Sequence, residues 1–137
     1  MMIRRSTQLA VALGLVAAAC SGGGEADLSV TLRDDGITLS EDTVGAGDAT
    51  LESTNAGTKI HEFEVFSVPE GVDANALPVE GDKAPADEML EIVDEVEDIA
   101  PGTSASLSLT LEPGTYAVIC NLPGHYANGM HATFTVE

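Results

Sequence analysis

Residues 114–137 read GTYAVICNLPGHYANGMHATFTVE, and no other stretch restricts the fold as much. An apolar run ends at Cys120, a turn-rich stretch follows, and an alternating run starts at Met130. Two strand-like runs joined this way call for a sheet, and a loop on so rigid a scaffold is where ligating side chains belong. Within the loop Cys120, His125 and Met130 stand in the spacing C-x4-H-x4-M. A thiolate, an imidazole and a thioether on one short loop suit a soft, redox-active metal. With a second imidazole they form the trigonal His2Cys set with a weak axial Met that holds blue copper. His61, in the strand-like run Lys59–Val68, offers that imidazole. The candidate metal ligands are therefore His61, Cys120, His125 and Met130, around one copper ion cycling between Cu(I) and Cu(II). The competing reading makes Cys120 a small core residue, His125 a surface residue and Met130 a filler.

Residues 1–19 have the pattern of an export signal. Arg4 and Arg5 form a basic start, and Leu9–Ala19 is apolar but too short to span a bilayer. Ala17-Ala18-Ala19 leads into Cys20 and resembles a bacterial lipoprotein signal, with Cys20 as the acylated first residue of the mature chain. An ordinary secretory peptide cut near Ala19 is the alternative; the Arg4-Arg5 pair matches a twin-arginine signal only weakly. With two or more acyl chains, burial at about 0.8 kcal/mol per CH2 makes the anchor stable. Residues 20–26 then act as lipidated cysteine and flexible linker, and 27–137 as one domain of ordinary size. This places the protein outside the cytoplasm, lipid-anchored at the outer face of the cell membrane or in the periplasm. The chain has two cysteines, Cys20 and Cys120. One is assigned to lipid and the other to metal, so no disulfide is expected. A Cys20–Cys120 bridge would tie a flexible tether to the interior end of a strand.

The domain reads as all-β. Leu28–Leu32, Ile37–Leu39, Ala49–Ser53, Ala105–Leu111, Tyr116–Cys120 and Ala132–Val136 have strand patterns, and Ile60–Phe66 alternates less cleanly. Asp34-Asp35-Gly36 and Asn55–Thr58 are turn signals. About seven short strands of this kind predict an antiparallel Greek-key β-sandwich. Residues 69–98 break the pattern as a short helix or loop insertion; a helix after Pro85 followed by an edge strand is the favoured reading, with Glu91–Ile99 as the rest of that helix the alternative. Leu111–Tyr116 (LEPGTY) looks like a tyrosine corner, in which the Tyr116 hydroxyl bonds back to upstream backbone and pins a crossover.

On these residues the chain resembles the cupredoxins, small blue copper electron carriers such as plastocyanin, azurin, halocyanin and rusticyanin. The likeness spans nearly all of Asp27–Glu137 and rests on the Asn55–Val65 run with its His, the tyrosine corner, and the loop C-x-x-P-G-H-x-x-x-G-M. It implies copper ligation by His61, Cys120, His125 and Met130. It also implies an electron exit at the loop histidine through an apolar patch, here Leu122, Pro123, Tyr126 and Ala127 around His125. Many members carry Asn after the first ligand, where this chain has Glu62. The Glu62 backbone N–H can still donate to the Cys120 sulfur, and bonds of that kind tune a metal centre. Pro123 lacks an N–H and removes one donor from the loop. His131 directly follows Met130, faces the other side of its strand and is expected at the surface.

Charge narrows the partners. The formal net charge is −18, and loss of residues 1–19 with their two arginines brings it to −20. Such a chain is excluded from nucleic acid and repelled by anionic lipid. Membrane contact is therefore expected through the lipid anchor only. The acidity is either a general solvated surface or a device that steers the domain toward a basic redox partner, a cytochrome or an oxidase. The expected state is a monomer. Two functions fit: a carrier of single electrons, or a copper-binding or trafficking protein that hands over the metal. Trafficking favours Met-rich tracts, which this chain lacks. An enzyme is not expected. Copper oxidases and nitrite reductases need a His-Cys-His segment, whereas Cys120 lies between Ile119 and Asn121.

Overall fold

Alternation of apolar and polar residues builds the smaller sheet. The computed structural model describes residues 25–137, so the expected leader, Cys20 and most of the linker lie outside the described residues. β1 (Leu28–Arg33) buries Leu28, Val30 and Leu32 and turns at Asp34-Asp35 into β2 (Gly36–Leu39). β4 (Gly47–Asn55) buries Ala49, Leu51, Ser53 and Asn55, and β7 (Ser104–Leu111) buries Leu107, Leu109 and Leu111. Side chains two apart share a face, so each strand shows one apolar side to the interior. The order is β2-β1-β4-β7.

The larger sheet runs β3-β9-β8-β5-β6. Its strands are β3 (Thr43–Val44), β9 (His131–Val136), β8 (Gly114–Ile119), β5 (His61–Val68) and β6 (Glu91–Ile99). Phe63, Val65, Tyr116, Val118, Phe134 and Val136 meet the smaller sheet's leucines and valines to form the main core. Cys120 and Met130 belong to the same packed cluster. The expected sandwich is present, but it is not purely antiparallel: β1 pairs with β4 and β3 with β9 in parallel. Among the described residues there are nine strands, the seven patterned runs, the expected edge strand β6 and one not foreseen, β3. β3, two residues long, is too short to show as a pattern.

Residues 69–90 cover the outer face of the larger sheet. A second apolar cluster packs Phe66, Ala117, Ile119 and Tyr126 against Ala74, Leu77, Ala84, Ala86 and Leu90. This explains the poor alternation of β5 and the apolar run of β8. A strand covered on both faces has no solvent side to mark with polar residues. The short helix α1 (Ala86–Met89) and the edge strand β6 both form as expected. The free edge carries Glu91, Asp94, Glu95, Glu97 and Asp98, charges that keep an exposed strand from pairing with another chain.

The tyrosine corner is also present. The Tyr116 hydroxyl donates to the Glu112 carbonyl at 2.9 Å and accepts from the Glu112 amide at 3.2 Å. Its ring stacks on Phe134 at 5.5 Å, joining β8 to β9.

Candidate metal centre

Three elements deliver donors to one end of the sandwich. His61 opens β5, Cys120 follows directly on β8, and His125 sits in the loop between β8 and β9. Pairing of β5 with β6 shifts register at the site: His61 faces Ile99 and Phe63 faces Val96. Glu97 and Asp98 therefore oppose Glu62 alone, and Asp98 takes the left-handed backbone at φ 55° that the bulge requires. Such a bulge re-aims neighbouring side chains, and His61 ends fully buried.

The approach to His61 is held by Asn55. Its side-chain amide donates to the carbonyls of Lys59 and Ile99, both at 2.8 Å, and its side-chain oxygen accepts the Gly57 amide at 2.9 Å. A buried amide so fully paired fixes the loop it spans.

The donor atoms face one another. His61 Nδ1 lies 3.1 Å from His125 Nδ1 and 3.8 Å from Cys120 Sγ, and Cys120 Sγ lies 3.4 Å from His125 Nδ1. The triangle these distances draw has its centre about 2.0 Å from each corner, the length of a metal–nitrogen bond and slightly less than a metal–thiolate bond. A single ion fits there. Met130 is fully buried beside them. Its amide donates to the His125 carbonyl and its carbonyl accepts from the Cys120 amide, both at 3.1 Å. The loop thus folds back on itself and brings its last donor next to its first.

The surroundings set the protonation. His61 Nε2 lies 2.9 Å from Asp34 Oδ1, so this nitrogen carries the proton and Nδ1 presents its lone pair inward. Hydrogen bonding, first from the Thr58 hydroxyl and then from the His61 ring and the Thr58 and Lys59 amides, holds the Asp34 carboxyl well below the usual carboxylate range. Burial pushes the Cys120 thiol up, opposed by the Glu62 and Leu122 amides. Burial also lowers His125, and the nearby His61 and Lys59 add to it. Without metal the sulfur therefore keeps its proton and His125 stays neutral, so metal uptake must release a proton from sulfur.

Other expectations meet mixed outcomes. The Glu62 amide does donate to Cys120 Sγ, at 3.2 Å. Its side chain faces Glu64 in a cleft of about 440 Å³ that Glu95, Glu97, Asp87 and Glu88 also line. Pro123 is exposed, beside the half-buried Leu122 and His125 and the exposed Ala127. Tyr126 does not belong to that surface patch. It is buried, its hydroxyl donating to the Ala74 carbonyl at 2.7 Å and accepting the Leu77 amide at 2.9 Å. His131 does face away from the ligands, yet it is only partly exposed. Its ring packs on Tyr126 at 4.5 Å and its Nδ1 lies 2.9 Å from the Asn75 side-chain oxygen. Asp34 had shown only as part of a turn signal; nothing local marks a turn carboxylate that meets a histidine 27 positions later.

Two imidazoles and a thiol converging at the end of a two-sheet sandwich define a mononuclear soft-metal protein. Residues 7–136 match the family described as cupredoxin-like domain, and the chain belongs to that family. It is similar to a dithionite-reduced auracyanin from the photosynthetic bacterium Roseiflexus castenholzii. The two share 28% identity, with 82% of this chain and 99% of that one covered and a TM-score of 0.56. It is also similar in fold to auracyanin B, at 23% identity over 83% of this chain and 91% of that one, with a TM-score of 0.52. No curated protein matches the sequence.

Proposed function

We propose that this protein carries single electrons between redox partners outside the cytoplasm, using one copper ion held by His61, Cys120, His125 and Met130. The observation that carries the reading is the triangle of two imidazole nitrogens and one sulfur, all facing a point one bond length away. Copper in such a set supplies reversible one-electron chemistry between Cu(II) and Cu(I).

The chain supplies everything else. Asn55, the tyrosine corner and the backbone bonds within the loop hold the donors still, so a change of charge moves few atoms. His61, Cys120 and Met130 are buried, which keeps water from the sulfur. His125 is half-buried among Leu122, Pro123 and Ala127, and it is the donor that gives a partner protein a short path to the centre. Four protein donors leave no open position for a substrate, so no catalysis is assigned.

A redox protein with a basic face is the partner this surface suits, because the chain carries −18 and lines both β6 and the Glu62–Glu64 cleft with carboxylates. The leader pattern and Cys20 support export and a lipid anchor, with the domain working as a monomer; among the described residues no helix is long and apolar enough to cross a membrane.

The test is a visible and paramagnetic resonance spectrum after addition of Cu(II). The parent protein should develop the intense sulfur-to-copper charge-transfer band, and Cys120→Ala should lose it. A colourless copper complex, or colour that survives the loss of Cys120, would falsify the assignment. Rapid electron exchange with a cytochrome, with copper retained, distinguishes a carrier from a protein that hands over the ion.

A further inference from the structure

We propose that Asp34, in the turn between β1 and β2, is a positioning residue of the copper centre whose carboxylate fixes His61 and lowers the reduction potential. The inference rests on the copper reading above and adds to it a tuning group outside the ligand set.

The contact is built from several sides. Asp34 Oδ1 receives the His61 Nε2–H at 2.9 Å. The same carboxylate accepts the Thr58 amide at 3.0 and 3.1 Å, the Thr58 hydroxyl at 2.6 Å and the Lys59 amide at 3.3 Å. Both partners are thereby tied into one ring, since the segment that grips Asp34 is the segment that leads into His61. Gly57 makes the approach possible. A Cβ there would collide with Asp34 Oδ1 and stand 2.8 Å from His61 Nε2. The neighbouring residue of the turn touches the other ligand segment. Gly129, at φ 109°, lies so close that a Cβ would fall 2.6 Å from the Asp35 carbonyl oxygen. One turn thus braces the strand that bears His61 and the loop that ends at Met130.

The chemistry follows from charge. A carboxylate that accepts the remote N–H of a ligating imidazole fixes its tautomer and raises its basicity toward the metal. A more basic ligand, with a negative charge behind it, favours the higher oxidation state over the lower. A neutral acceptor in the same place would orient the ring without that bias.

The test uses the full chain loaded with copper, comparing parent, Asp34→Asn, Gly57→Ala and Asp35→Asn. Asp34→Asn should keep the charge-transfer band while its midpoint potential rises. The Cu(I) to Cu(II) ratio at a fixed poise should increase about tenfold, equivalent to ~59 mV for one electron. Gly57→Ala, which keeps the charge but forces the carboxylate off the ring, should shift the potential the same way. Asp35→Asn removes an equal charge from an exposed side chain in the same turn and should move it far less. A shift in Asp34→Asn no larger than in Asp35→Asn overturns the proposal. Zinc affinity, measured by competition with a chelating dye, gives a readout free of redox chemistry. Asp34→Ala should lose about 10- to 100-fold, and an unchanged affinity also overturns the proposal. A parent protein that never turns blue refutes the copper reading; a blue parent with an unmoved Asp34→Asn refutes only the role of Asp34.

Discussion

A thioether is the weakest donor in the set, and Met130 contributes it from a fully buried position. Leucine nearly matches its volume, so Met130→Leu should cost little in packing. It should keep the charge-transfer band and raise the potential, because the axial donor tunes such centres. Spectroelectrochemistry checks this, and a lowered potential would contradict it. Glu64 makes a second residue-scale prediction. Burial first, and then the nearby Glu62 carboxylate, push it up from 4.5 to about 8. Between these values the folded protein holds a proton that the unfolded chain has released. Stability from this group is therefore complete below the lower value and lost as pH rises through the upper one. Urea midpoints of the copper-free protein should fall between about pH 5 and about pH 8, and Glu64→Gln should flatten that slope. An equal slope in the variant would remove Glu64 as its source. Residue identity made the ligands legible, because few side chains bind soft metals, three of them sit in a recognisable spacing on one loop, and His61 offers the second imidazole from a strand-like run. Asp34, chemically ordinary and far from His61 in the chain, had no such mark.

Elements explain what spacing did not reach. Residues 69–90 look like a polar interruption, yet their few apolar side chains roof the outer face of β5 and β8. Tyr126 joins that roof to the ligand loop. Its hydroxyl satisfies the Leu77 amide and the Ala74 carbonyl, both across the interface. Tyr126→Phe leaves those two buried groups without a partner, at a cost of about 1–3 kcal/mol. Urea denaturation should show that loss, and hydrogen exchange at the Gly129 and Met130 amides should quicken. An unchanged midpoint with unchanged exchange would mean that the loop holds itself. The helix and edge strand at 86–99 were readable from Pro85 and from partial alternation. The roof was not, since a loop's fit to a sheet depends on both surfaces.

For the whole molecule, charge is the governing property. A chain at −18 repels its own copies and attracts a basic surface over a distance that salt shortens. Electron-transfer rate to a basic cytochrome should fall steeply with added salt in stopped-flow measurements. A rate indifferent to salt would reduce the acidity to a solubility feature. The acidic β6 edge and the cleft beside Glu62 give that field a direction which net charge does not have. The loop donors Cys120, His125 and Met130, strand alternation and the tyrosine corner were all readable in the linear chain, because each is a relation between near neighbours. Folding decided three things that arise between distant segments. It paired β1 with β4 in parallel, buried Tyr126 that the family resemblance had put at the surface, and set Asp34 against His61 through a gap only Gly57 leaves open. Such contacts form only when close packing brings the segments together, and no local pattern carries them.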